Sequence, residues 1–164
     1  MAGILILGID PGPQESAYFV LEDGKITPSR AYFANDQLLG LLGSAKASGI
    51  CRIAIETLQN YNAPMSGDTI NTVKWVGRFI QQALCSGFEE EVDVREYVRP
   101  SIKAFLVGTA SCNDVAVKRA LECRYGYARK GQPLEGLKGA KDHQWAALAV
   151  ATFCWDGLLL GNKW

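Results

Sequence analysis

Residues 4–12 read ILILGIDPG, an aliphatic run that stops at Asp10 and turns at once through Pro11 and Gly12. The run is typical of a buried strand, and a Pro-Gly pair ends one. A carboxylate therefore stands where a strand ends, and it either starts the turn or faces a ligand. The pattern recurs in residues 51–56, CRIAIE, a second short strand that ends at Glu56.

The rest of the chain predicts alternating elements around these two strands. Residues 16–21 and 26–33 are typical of strands joined by the turn EDGK, and the TPS triplet makes the second one irregular and suited to a sheet edge. A fifth strand is predicted in residues 91–98. Helices are predicted within residues 35–49 (capped by Asn35 or Asp36 and stopped by Gly49), 68–86, 99–108, 112–126 and 142–160. We expect an α/β fold, a mixed five-stranded sheet with antiparallel first three strands, flanked by helices.

Composition limits the class of protein. A chain of 164 residues with 48% hydrophobic and 21% charged residues suits a single globular domain over 1–164. Its apolar runs are too short for a membrane span or a signal peptide. The five cysteines form no CxxC pair, which favours reduced thiols over disulfides or zinc. We expect a cytoplasmic or nucleoid-associated protein that is neither secreted nor membrane-bound.

The charge is unevenly distributed although the net charge is zero. Residues 95–141 hold ten basic and four acidic side chains, so this segment carries +6 and the remainder −6. Such an asymmetry indicates either a basic face for an anionic partner, with nucleic acid the first candidate, or ordinary solvated helix faces. The basic Gly-rich stretch at 127–141 is predicted to be a loop.

Three carboxylates stand at element ends: Asp10, Glu56 and Asp142, which opens the last helix. Open α/β sheets bind ligands at the carboxyl ends of their strands. A cluster of carboxylates there suits Mg²⁺ or Mn²⁺. Hydrolysis of a phosphodiester would use two such ions. Each has another interpretation: a turn former, a solvated strand end and a helix N-cap, respectively. His143, the only histidine, is either structural or catalytic.

Together, ILGIDPG, the strand ending AIE, a long helix with an internal glycine and the last helix HQWAALAVA resemble the RuvC-type Holliday junction resolvases. The resemblance spans nearly the whole chain. It implies an RNase H-like fold, a homodimer formed through helix 68–86, Mg²⁺ or Mn²⁺ as cofactor with no small-molecule cofactor, and nicking of branched DNA. Sugar-kinase and actin-like ATPase folds begin similarly, but they need a larger, two-lobed chain.

The resemblance assigns roles to individual residues. Asp10 and Glu56 match the first two metal ligands. The last helix of the family carries an acidic or His–Asp pair three residues apart, which falls here on His143 and Ala146. Since Ala146 departs from that pattern, we expect Asp142 to supply the missing oxygen and His143 to act as a ligand or as a proton carrier.

DNA contacts are predicted in two regions. Tyr61, in the loop after Glu56, is expected to stack on a base at the junction, or else to be an ordinary loop tyrosine. Lys103 is the first choice for a phosphate contact. Further basic candidates are Lys118, Arg119, Arg129, Lys130, Lys138 and Lys141. The sequence thus predicts a metal-dependent endonuclease acting on four-way or branched DNA, with a non-cleaving branched-DNA-binding protein of the same fold as the alternative.

Overall fold

Apart from one short strand pair between the last two helices, the strands and helices follow the predicted order. The computed structural model describes residues 3–59, 64–128, 132–133 and 137–161. The strands are β1 (Leu5–Asp10), β2 (Glu15–Glu22), β3 (Lys25–Ala34), β4 (Ile50–Thr57), β5 (Val94–Val98), β6 (Tyr127–Ala128) and β7 (Gln132–Pro133). The helices are α1 (Asn35–Ala45), α2 (Gly67–Cys85), α3 (Arg99–Val107), α4 (Asp114–Tyr125) and α5 (Asp142–Leu159). None of the described helices is long and apolar enough to cross a membrane.

Five strands form one mixed sheet in the order β3-β2-β1-β4-β5. The first three are antiparallel, and β1, β4 and β5 run parallel. This confirms the predicted fold class. The predicted irregularity of β3 is confirmed as well: it lies at the sheet edge, and its register with β2 shifts between Phe19 and Leu21.

Alternation along the strands divides the core into two halves. Leu7 and Ile9 of β1 pack with residues of α1 and α2 on one face of the sheet. Ile6 belongs to the cluster on the other face, which α5 covers. Because side chains two residues apart share a face, Asp10 projects toward the α5 side. The same reasoning applies to Glu56, two residues after Ala54, which packs in the α5 cluster.

Gly8 sets the distance between β1 and α5. A Cβ at this position would lie 2.2 Å from the carbonyl oxygen of Ala147 and 2.7 Å from the Cβ of Ala151. Only a glycine permits this approach, so the backbone of β1 lies directly against α5. The strand that carries Asp10 is therefore in contact with the helix that carries His143.

The N-cap of the first helix differs from the predicted one. The N-cap of α1 is Ala34, because the side chain of Asn35 is buried and used elsewhere. It accepts a hydrogen bond from Ser16 Oγ (2.5 Å) and donates one to the Gly12 carbonyl (3.0 Å). These bonds hold the turn that follows Asp10.

The starts of α2 and α5 lie within one residue of the predicted ones. Helix α2 begins at Gly67, capped by the Ser66 hydroxyl, which accepts from the Thr69 amide (3.1 Å). Helix α5 has Lys141 as its N-cap, so Asp142 is its first residue and not its cap. The predicted loop at 127–141 contains the short antiparallel pair β6–β7.

Candidate functional site

Two of the predicted carboxylates lie side by side at the carboxyl ends of the central strands β1 and β4. β1 and β4 are parallel neighbours with Ile9 opposite Ile55, so Asp10 and Glu56 are the next residues on adjacent strands and on the same face. Each is only 7% exposed. Both line one cavity of about 660 Å³. The sheet thus holds two carboxylates side by side, nearly removed from water, at the wall of an open space.

This arrangement is electrostatically costly. Burial, followed by the charge of Asp10, raises the pKa of Glu56 to about 7, although the charge of Arg99 opposes the shift. The charge of Arg99 therefore only partly offsets burial and the repulsion from Asp10. Titratable groups perturbed in this way inside a cavity are typical of functional sites.

His143 lies beside Asp10. Its Nδ1 is 2.8 Å from Asp10 Oδ2, and this hydrogen bond raises the pKa of His143 above the ordinary value. The ring of Tyr32 stacks on the imidazole, with centroids 5.1 Å apart and planes inclined by 3°. Tyr32 of β3 was not predicted as a site residue, and no sequence motif marks a contact across 111 positions.

Sequence reasoning also missed Arg99 and Asp114. Arg99 Nη1 donates to Glu56 Oε1 (2.7 Å), and Arg99 Nη2 lies 2.9 Å from Asp114 Oδ1. The hydrogen bond from Arg99 lowers the pKa of Asp114. One guanidinium therefore links a buried carboxylate on β4 with an exposed one on α4.

Asp142 and Ala146 both line the same cavity. Asp142 is exposed, and Ala146 is half-buried on the wall. Among the described residues, no three His, Cys, Asp or Glu side chains are grouped so that they could hold a metal ion. The structure places Asp10 beside Glu56 and His143 against Asp10, while Asp142 as a third metal ligand stays a prediction.

The predicted DNA contacts divide into three groups. Lys103 is engaged internally, because its Nζ donates to the Cys112 carbonyl (2.8 Å) and pairs with Asp114 (3.1 Å). Lys118 lies over the Trp145 ring at 5.2 Å, and it lines the cavity together with the exposed Arg119. The two others within the described ranges, Lys138 and Lys141, are exposed near the start of α5. Tyr61, Arg129 and Lys130 lie outside the described residues.

The donor set nevertheless fits a hard divalent cation. Mg²⁺ in phosphate chemistry is held by one or two carboxylates and takes its other ligands from water and substrate phosphates. Asp10 and Glu56 supply such a pair, and a divalent cation would offset the burial and the mutual repulsion that raise the pKa of Glu56. The residues that would hold the ion are therefore Asp10 and Glu56, with Asp142 within the same cavity.

Comparison with known proteins agrees with this geometry. No protein-family model matches the chain. The crossover junction endodeoxyribonuclease RuvC of Christiangramia forsetii is 25% identical over 146 residues, which cover 82% of this chain and 74% of that protein.

Solved structures give the fold. Thermus thermophilus RuvC superposes with a TM-score of 0.66 at 17% identity, covering 97% of this chain and 98% of that one. The same protein in complex with a Holliday junction substrate gives a TM-score of 0.62 at 18% identity, covering 95% of this chain and 96% of that one. The yeast mitochondrial Holliday junction resolvase gives a TM-score of 0.59 at 14% identity, covering 95% of this chain and 82% of that one. The chain therefore has the fold of the RuvC-type Holliday junction resolvases, and the resemblance predicted from its motifs is confirmed.

Proposed function

We propose that the protein is a metal-dependent endonuclease that nicks four-way or branched DNA by phosphodiester hydrolysis. The observation that carries the proposal is the buried Asp10–Glu56 pair at adjacent strand ends, open to a cavity on the side of α5. The likeness to resolvases, one of them bound to a Holliday junction, supports branched DNA as the substrate. Mg²⁺ or Mn²⁺ is the proposed cofactor, with two ions, and Asp142 is a further proposed ligand.

The site residues have separate proposed roles in hydrolysis. When bound, the divalent ions supply an activated water and charge stabilisation for the departing 3′ oxygen. Asp10 and Glu56, both nearly buried, would hold the ions at the cavity wall. His143, whose Nδ1 contacts Asp10, keeps Nε2 to carry a proton to the leaving oxygen. Tyr32 restrains the imidazole plane by stacking on it.

One observation favours the alternative of a non-cleaving junction-binding protein. Ala146 stands on the cavity wall at the position where the resemblance expects an acidic residue. Incubation of the purified protein with synthetic junctions, forks and duplex, in Mn²⁺ or EDTA, decides between the two. Mn²⁺-dependent nicks mapped to the branch point support the nuclease. Salt-sensitive junction binding without any nick supports the alternative.

Arg119 is the clearest phosphate contact to test, because its side chain is exposed at the cavity edge. We expect Arg119→Ala to weaken junction binding and to lower the slope of log affinity against log salt by about 1. Lys25→Ala is the matched control, since Lys25 is exposed and pairs with Glu22 at the opposite end of the sheet from Asp10. Fluorescence anisotropy at several salt concentrations measures both. An unchanged slope for Arg119→Ala would remove it from the DNA interface.

A homodimer through α2 remains part of the proposal. Ile70 and Val73 project large apolar side chains into solvent from this helix, and Met65 lies exposed just before it. Gly77, one turn after Val73, is also exposed, and no described atom outside its own part of the helix lies within 4 Å of its Cβ position. An apolar helix face with a small residue suits close approach of a second helix, and two symmetric nicks need two active sites.

We expect Val73→Glu to convert the dimer to a monomer, because two buried charges would face each other across the two-fold axis. Light scattering after size-exclusion chromatography measures the mass. Val92→Glu is the control, since Val92 is as exposed as Val73 but lies in the segment before β5. A dimer that persists in Val73→Glu, or one that Val92→Glu also disrupts, places the interface elsewhere.

A further inference from the structure

Arg99 holds an unusual position. It is the first residue of α3 and directly follows β5, which lies parallel to β4 with Val98 opposite Thr57. This register brings its side chain to Glu56. Its two terminal nitrogens bond to different carboxylates, Glu56 at 2.7 Å and Asp114 at 2.9 Å.

Helix stability does not explain an arginine here. The first turn of a helix carries the positive end of the helix dipole, and a cation there is unfavourable. The bond to Asp114 adds little to the stability of the fold, because the Arg99 side chain is 40% exposed and that of Asp114 is 66% exposed. What remains is Glu56, a carboxylate almost fully buried beside a second carboxylate. Arg99 thus directly opposes the charge of Glu56, while His143 bonds to Asp10 on the other side of the pair.

We propose that Arg99 is the built-in counter-ion of the Asp10–Glu56 pair, and that a divalent cation entering the pair displaces it while Asp114 retains the released guanidinium. This inference rests on the proposed function, since it assumes that the pair binds the metal. Arginine suits the role because it stays charged at any physiological pH, and its planar fork can contact two carboxylates at once. Two cations cannot both lie against Glu56 without strong repulsion.

Arg99 in this role is a positioning residue that weakens binding of the free cation. Mn²⁺ binding to the DNA-free protein, followed by the electron paramagnetic resonance of unbound Mn²⁺, measures this without any turnover. We expect Arg99→Gln to bind Mn²⁺ on the order of tenfold more tightly than wild type. Arg99→Lys restores the competing charge and should return the affinity toward that of wild type. Equal or weaker binding by Arg99→Gln overturns the inference.

Substitution of Asp114 provides a second, independent test. With Asp114→Asn the guanidinium has only Glu56 as a carboxylate partner, so Mn²⁺ binding should weaken. Asp68→Asn, on the same cavity wall, is the control: it shows how much Mn²⁺ binding weakens when one nearby negative charge is lost. The Asp114→Asn effect should exceed that of Asp68→Asn and shrink when Arg99→Gln is already present. An equal effect of Asp114→Asn in both backgrounds contradicts its retaining role and overturns the inference.

Asp10→Asn separates this inference from the proposed function. If Asp10→Asn leaves Mn²⁺ binding intact, the cation does not bind at the pair, and both proposals fail. If Asp10→Asn removes Mn²⁺ binding but Arg99→Gln does not strengthen it, the metal site stands and the counter-ion role of Arg99 falls. Thermal unfolding of each variant verifies that it is folded.

Discussion

Asp10→Asn is expected to abolish Mg²⁺- and Mn²⁺-dependent nicking of a four-way junction, with a loss on the order of a thousandfold or more. Asparagine keeps the shape of the side chain but removes the negative charge from a site that is only 7% exposed. The cation then loses a buried ligand that water cannot replace in the same position. Junction binding should persist, because phosphate contacts by basic side chains carry most of it.

Nicking of a labelled junction and electrophoretic binding, measured on the same preparation, test this expectation. Asp68→Asn serves as the matched control, because it removes a carboxylate from the same cavity wall without touching the Asp10–Glu56 pair. It should nick normally. Full nicking by Asp10→Asn would refute the proposed site, and loss of nicking in both variants would point to the overall charge of the cavity.

Glu56→Gln is expected to stabilise the metal-free protein at pH 8, by up to about 3 kcal/mol. Burial and Asp10 raise the pKa of Glu56 from 4.5 to about 7. A carboxyl whose pKa is raised by folding destabilises the fold once it ionises. This cost is absent below pH 4.5, grows as the pH rises toward 7 and is complete above 7. Glutamine avoids the cost and can still accept the hydrogen bond from Arg99.

Urea unfolding in EDTA at pH 8 and pH 4.5 measures the difference. The advantage of Glu56→Gln should be present at pH 8 and disappear at pH 4.5. Glu22→Gln, on an exposed residue of β2, should be neutral at both. Added Mg²⁺ should then stabilise wild type and not Glu56→Gln, since only wild type keeps both carboxylates. A Glu56→Gln protein that is less stable than wild type at pH 8 would contradict the electrostatic description of the site.

The sequence was informative where a local pattern has a single structural meaning. The aliphatic runs that end at Asp10 and Glu56 predicted two strand ends, and parallel pairing of β1 with β4 makes them neighbours. The turn EDGK was also predicted, and Asp23 and Gly24 have the positive φ values, 48° and 70°, that such a turn requires. In each case a few consecutive residues contain the whole signal.

The rest depends on contacts between distant segments. Asn35 was a plausible cap by residue type, but only the pairing of β1 with β2 and the path of β3 show that its amide is needed beside Ser16 and Gly12. The contact of Arg99 with Glu56 follows from the register of β4 with β5. A cation in the first turn of α3 was the one local hint that an acidic partner lies nearby.

The contact of Gly8 with α5 has a consequence for how the site tolerates change. Asp10 and His143 are held in register by main chain lying on main chain, with Ala147 and Ala151 as the opposing residues. Their alignment is therefore a property of the scaffold, largely independent of which side chains line the cavity. Substitutions on the walls can alter affinity or substrate preference while Asp10 and His143 stay aligned. Enlargement of residue 8, 147 or 151 would separate them without altering either one.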